Sequence, residues 1–230
     1  MAKIGNTKSR KKGGIAASQV GARGGYSAQP KPEVYVVIDI IFKNAYKAFD
    51  NKVVLDEFNW TLPDCNPLVI QGASGSGKTT LLRLLARLES LDSGDLTGLP
   101  DRVSYLFQEN RLLPWYTVRR NLELCAQNAD AWLARVGLIE EAPRFPAELS
   151  GGMRRRVALA RALAFPSKLL LLDEPFIELD ETIKMSMIEL VREQINIRDR
   201  IIVVTHDPLE ARALGGQTII FAGPPLLQLS

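Results

Sequence analysis

From Tyr35 onward, short apolar blocks alternate with amphipathic ones, and the period of the pattern switches between that of a strand and that of a helix. Tyr35–Phe42 is rich in aromatic and β-branched residues and reads as a strand. Val53–Leu55 and Phe58–Leu62 predict two further short strands, an antiparallel layer ahead of the main fold. Leu68–Ile70 is a short apolar strand that runs into a glycine-rich turn, and Lys78–Leu88 follows with leucines at helical spacing. Arg102–Phe107 is another strand, and Asn121–Val136, with Leu122, Cys125, Ala129, Trp132 and Leu133, predicts a helix. Pro143 and Pro146 mark a loop before a helix over Gly151–Phe165. Leu169–Leu172 and Ile201–Val204 are wholly apolar, as strands buried on both faces of a parallel sheet are. Amphipathic helices are expected over Thr182–Asn196 and Pro208–Leu214, and a last strand over Thr218–Phe221. Strands alternating with helices predict an α/β fold around a mostly parallel sheet.

Composition narrows the class. The chain has 230 residues, 46% of them hydrophobic, enough for a substantial core. No apolar run approaches the roughly 18 residues that would cross a bilayer, and no apolar signal core follows Met1, so neither membrane insertion nor export is expected. The net charge of +3 hides an asymmetry. Residues 1–32 carry seven basic residues (Lys3, Lys8, Arg10, Lys11, Lys12, Arg23, Lys31) and no acidic one, so 33–230 sums to −4. A uniformly basic nucleic-acid-binding domain is thereby disfavoured. Residues 1–33 lack hydrophobic periodicity and read as a disordered basic tail. A transit segment, or contact with RNA or an anionic membrane, are the alternatives for it. Cys65 and Cys125, with one histidine in the chain, do not make a metal site and read as ordinary thiols.

The strongest chemical signal is Gly72-Ala73-Ser74-Gly75-Ser76-Gly77-Lys78-Thr79 between a strand and a helix, the full phosphate-loop pattern in its confirming context. Glycines let successive backbone N–H groups converge on phosphate oxygens, and the helix beginning near Lys78 adds its positive end. Lys78 supplies a cation for the β and γ phosphates and Thr79 a hydroxyl for Mg²⁺. Asp173 and Glu174 follow a buried parallel strand, where such sheets bind ligands. Asp173 is expected to hold Mg²⁺ directly or through water, and Glu174 to polarise an attacking water. His206, the one histidine, follows the next buried strand and is placed to hydrogen-bond a γ-phosphate oxygen or the nucleophilic water.

Many phosphate-loop proteins share these features. Leu149-Ser150-Gly151-Gly152-Met153, about twenty residues ahead of the acidic pair, is more discriminating. Ser150 can cap the helix, leaving N–H groups at Gly151 and Gly152 for an anion. With it, the chain resembles the ATP-binding subunits of ABC transporters from about Val34 to Ala222. The resemblance implies a P-loop NTPase core, an N-terminal antiparallel β layer and a small helical subdomain at about 118–165, within one ATP-binding domain spanning 34–230. Gly72–Thr79 looks like the Walker A loop, with Thr80 beside it. Gln108 looks like the Q-loop glutamine and a further Mg²⁺ ligand, and Leu149–Met153 like the signature motif. Asp173 and Glu174 look like the Walker B aspartate and catalytic glutamate, Asp180 the D-loop aspartate, and His206 the switch histidine. Phe49 fits the aromatic that stacks on adenine. Gln108–Trp115, with its Leu-Leu-Pro-Trp run, is similar to importers of nitrate, sulfonates, taurine and related solutes. Ile177-Glu178-Leu179-Asp180 departs from the family's usual Ser-Ala-Leu-Asp, setting a negative charge near the expected dimer seam.

What the resemblance implies is an ATP-hydrolysing, energy-coupling subunit on the cytoplasmic face of a membrane. Its implied cofactors are ATP and Mg²⁺. Its implied partners are a second ATP-binding subunit, usually a second copy, transmembrane permease subunits and an extracytoplasmic solute-binding protein. Ser150, Gly151 and Gly152 of one subunit would close on ATP held by the other. A soluble ABC-type ATPase acting on ribosomes or nucleic acid is the alternative.

Overall fold

The computed structural model describes residues 39–229. The basic segment 1–33, and the first residues of the strand expected from Tyr35, lie outside them.

Strands β1 (Ile41–Phe49), β2 (Lys52–Thr61) and β4 (Ser93–Thr97) form a small antiparallel sheet in the order β2-β1-β4. The six-stranded sheet has the order β5-β6-β7-β3-β8-β9, built from β5 (Val103–Leu106), β6 (Leu169–Asp173), β7 (Arg200–Val204), β3 (Leu68–Gln71), β8 (Gln217–Ala222) and β9 (Leu227–Leu229). The first five run parallel and β9 is antiparallel to β8. Six α-helices connect them: α1 (Lys78–Leu85), α2 (Val118–Glu123), α3 (Ala129–Arg135), α4 (Gly151–Ala164), α5 (Glu181–Glu193) and α6 (Pro208–Leu214).

Side-chain alternation explains why Leu169–Leu172 of β6 and Ile201–Val204 of β7 are apolar throughout. Leu169 and Leu171 face one core, with Phe42, Trp60, Leu81 and Leu82 of β1, β2 and α1. Leu170 and Leu172 face the other, with Leu159, Leu163, Ile188 and Val191 of α4 and α5. Burying each such leucine stabilises the fold by about 1.5–3 kcal/mol. Phe42, Phe58, Trp60 and Phe221 lock the antiparallel sheet onto β8, with Trp60 and Phe221 edge to face at 5.3 Å between ring centroids.

Several element boundaries differ from expectation. Among the described residues the first strand runs Ile41–Phe49, seven residues beyond the expected end at Phe42. The two short strands expected after it are one, β2, whose register against β1 shifts near Glu57, a residue in the left-handed region at φ 43°. The single helix expected over Asn121–Val136 is two, α2 and α3, because Asn128 accepts from the Ala131 N–H and starts a new helix. Helix α1 stops at Leu85, and Arg87 at φ 56° turns the chain away. Strand β4, with the polar sequence Ser-Gly-Asp-Leu-Thr, was not expected at all.

The functional consequence lies in the order β6-β7-β3. Asp173 is in register with Val204, and Val204 with Ile70. The turns that follow these three strands therefore emerge together at one edge of the sheet, where α/β folds bind ligands.

Candidate nucleotide-binding site

The loop after β3 curls back over its own lysine. Gly72 sits at φ 150°, and a β-carbon there would strike the Phe221 carbonyl of β8, so only glycine fits. Gly77 at φ 109° starts α1. The Lys78 ammonium donates to the carbonyls of Gly72 (2.8 Å) and Ala73 (2.7 Å) and to Ser76 Oγ (3.3 Å). Burial lowers the Lys78 pKa, against the opposing pull of Glu174 and Asp173. Ser76 is buried, whereas Ala73, Ser74 and Gly75 face solvent at the mouth; Thr79 and Thr80 are half-buried in the first turn of α1.

Asp173 ends β6 with 1% of its surface exposed. It accepts a hydrogen bond from the Tyr105 hydroxyl at 3.2 Å, and the Thr79 hydroxyl lies beside it. Burial raises its pKa and these two hydroxyls oppose the rise. Glu174 stands at φ 49°, its N–H donating to the Val204 carbonyl at 2.9 Å. Its Oε2 meets Nδ1 of His206 at 2.9 Å, and this contact raises the His206 pKa. The turn carrying His206 is braced from behind. Thr205 Oγ1 donates to Glu210 Oε2 (2.5 Å), and the Asp207 N–H donates to Thr205 Oγ1 (3.1 Å). Lys184 of α5 pairs with Glu210 (3.3 Å) and Asp207 (3.5 Å).

Lys78, Thr79, Asp173, Glu174 and His206 are thus brought to one edge. Gln108 follows β5, but its side chain is exposed and bonds neither Thr79 nor Asp173. Phe49 is 39% exposed at the end of β1, with the Lys47 ammonium 4.9 Å from its ring centroid. Lys52, across the hairpin, reaches the Gly75 carbonyl at 3.4 Å, so the hairpin tip overhangs the phosphate loop.

Ser150 caps α4 by accepting from the Met153 N–H (3.2 Å), and Asp180 caps α5 by accepting from the Ile183 N–H (3.0 Å). Among the described residues no hydrogen bond joins the Ser150–Gly152 turn to the phosphate loop. It is covered instead by Glu178, whose carboxylate and carbonyl occupy the positions that β-carbons at Gly151 and Gly152 would need.

Sequence reasoning missed Tyr105, Lys184 and Arg155 as parts of this site. Arg155 is the most informative omission, since it shares the spacing of Ala158, Leu159 and Ala162 on the buried face of α4. That spacing was the available signal.

A phosphate loop after a central parallel strand, with an imidazole on the end of the adjoining strand and carboxylates on the next, defines an ATP-hydrolysing cassette. The family model described as ABC transporter matches residues 55–177, and the chain belongs to that family. It is 43% identical over 189 residues to the aliphatic sulfonates import ATP-binding protein SsuB 2 of Agrobacterium fabrum, spanning 76% of this chain and 73% of that one. SsuB 1 of Pseudomonas syringae pv. tomato is 39% identical over 198 residues, spanning 83% of this chain and 73% of that one. Among solved structures, the dimeric post-hydrolysis state of the ATP-binding cassette MJ0796 bound to ADP and Pi superposes with a TM-score of 0.69 at 27% identity, covering 80% of this chain and 94% of that one. No helix among the described residues is long and apolar enough to cross a membrane.

Proposed function

We propose that this chain is the ATP-hydrolysing, energy-coupling subunit of an importer for a small sulfonate or a related organic or anionic solute. One observation carries the site: Lys78, Asp173 and the Glu174–His206 pair stand on the ends of three adjacent parallel strands. The solute class is supported by what the relatives are named for.

Gly72 through Thr80 hold the phosphates, with Lys78 neutralising the β and γ oxygens in place of the loop carbonyls it now bonds. Phe49 stacks on adenine. The donor set also fits Mg²⁺: the Thr79 hydroxyl and the buried Asp173 carboxylate stand beside each other. Thr79, Asp173 and Gln108 would hold the ion, which when bound supplies charge neutralisation at the phosphates. Glu174 orients and accepts a proton from the attacking water, and His206 touches the γ-phosphate. Ser150, Gly151, Gly152 and Asp180 act on the nucleotide of a second copy, so two copies pair head to tail.

Permease subunits and an extracytoplasmic binding protein complete the assembly, with this chain peripheral on the cytoplasmic face. Residues 118–165 form the lobe facing the permease. The test is a tagged pull-down from gently solubilised membranes with an MgATP assay on the product. Recovery of a polytopic membrane protein that changes turnover supports the reading. A chain that remains soluble and brings down RNA or ribosomes overturns it.

A further inference from the structure

Arg155 is the bulkiest fully buried side chain among the described residues. Its guanidinium has six acceptors. Nε donates to the Pro175 carbonyl (3.1 Å), and Nη2 to those of Asp173 (2.7 Å) and Glu174 (2.6 Å). Nη1 donates to the carbonyls of Phe107 (2.7 Å) and Gln108 (3.1 Å) and more weakly to Asn110 Oδ1 (3.4 Å). None of these is a carboxylate. Burial lowers the Arg155 pKa to about 10, with Asp173, Glu178 and Glu174 opposing the fall, so the group stays charged at neutral pH. A buried cation whose direct partners are all neutral is held by aligned carbonyl dipoles.

Those carbonyls belong to two segments of the site. Residues 173–175 contain the proposed base, and Phe107–Gln108 begin the Q-loop. Glu174 is in the left-handed region, at φ 49°. A residue with a side chain persists there only where its surroundings over-determine it. Here the Glu174 N–H is fixed by the Val204 carbonyl and its own carbonyl by Arg155. With both flanking peptides fixed, the carboxylate is aimed at His206.

We propose that Arg155 is a positioning residue for ATP hydrolysis: it holds Glu174 in this conformation and ties it to the first residues of the Q-loop. The inference rests on the reading of Glu174 as the base. A planar fork with five N–H donors spans two strand ends at once, which a lysine ammonium does not. Because Arg155 projects from α4, the same guanidinium links both segments to the helix that begins at Ser150. Movement of the Q-loop then displaces the base unless these bonds break.

The experiment uses the full chain with Arg155→Lys and Arg155→Gln, each confirmed as folded by circular dichroism. ATP dissociation constants are expected to stay within about threefold of wild type while turnover falls by about thirtyfold or more, the signature of a lost transition-state arrangement. NMR of the one histidine supplies a second readout. The acids facing His206 are Glu174, Asp207 and Glu210, with Lys184 behind the last two. As Glu174 turns away, the His206 midpoint is expected to fall toward ~6.5. Turnover within threefold of wild type, or lost turnover with an unmoved His206 midpoint, overturns the proposal.

If neither variant folds, the wild type carries the test. The ¹⁵N side-chain resonance of Arg155 is expected to exchange slowly with water and to shift when ATP is added; an unshifted resonance refutes the coupling. Glu174→Gln separates the two levels of inference. If it retains turnover, the reading of the site fails. If it is inactive while the Arg155 variants turn over normally, only this inference fails.

Discussion

Nδ1 of His206 lies 2.9 Å from Oε2 of Glu174, joining the turns after two adjacent parallel strands. The hydrogen bond and charge of Glu174 raise the His206 pKa. The sign of the pH effect follows. The charged pair is fully formed below the ordinary histidine pKa of ~6.5, and its contribution disappears as pH rises through the raised folded value. With one histidine in the chain, proton NMR reads this without assignment. The midpoint is expected above ~6.5 in the wild type and lower in Glu174→Gln.

Lys78 spends its hydrogen bonds on the carbonyls of Gly72 and Ala73 and on Ser76. Replacing it removes the only ammonium within the loop and leaves those acceptors facing the phosphates. Lys78→Ala is expected to weaken ATP binding by at least about tenfold, the loss of one charge-assisted contact. Titration with a fluorescent ATP analogue measures it.

Glu178 lies over Gly151 and Gly152, where the N-terminus of α4 favours an anion. If a second copy's γ-phosphate is to reach that turn, this carboxylate opposes it. In a Glu174→Gln background, Glu178→Ala is therefore expected to lower the ATP concentration at half-dimerisation by about three- to tenfold, in keeping with about 1 kcal/mol for a charge at a helix end. Light scattering across an ATP titration measures it.

Asn121 is fully buried and pins the Leu113–Thr117 loop. Its Oδ1 accepts from the Leu113 N–H (2.8 Å), and its Nδ2 donates to the carbonyls of Leu113, Tyr116 and Thr117 (3.0–3.1 Å). Asn121→Ala removes these bonds from a half-buried loop and is expected to cost about 1–3 kcal/mol of stability. The same loop presents Trp115, 66% exposed. Urea unfolding read by tryptophan fluorescence gives the loss.

How far the sequence was legible follows from what each feature demands of it. The phosphate loop, Asp173 and His206 were legible because each lies at a junction between a wholly apolar strand and a turn, a pattern that needs no tertiary information. Ser150 was legible as a cap for the same local reason; the capping of α5 by Asp180 was not read from the sequence. Strand β4 was not, because it is a polar edge strand paired only with β1. Nor was the break between α2 and α3, where a side-chain bond at Asn128 outweighs helical periodicity. Arg155 escaped because its place on the buried face of α4 does not by itself name what its side chain meets. Only the fold shows that its guanidinium reaches carbonyls at separations of 18–20 and 47–48 residues.

On the proposed reading, Glu174 drives hydrolysis in a site that two copies close together. The most direct measurement is light scattering of Glu174→Gln with and without MgATP, alongside its turnover. The expected result is turnover reduced by at least about 100-fold, with ATP still bound and the molecular mass rising from one chain to two. Turnover near the wild-type rate, or bound ATP with no change in mass, would contradict it.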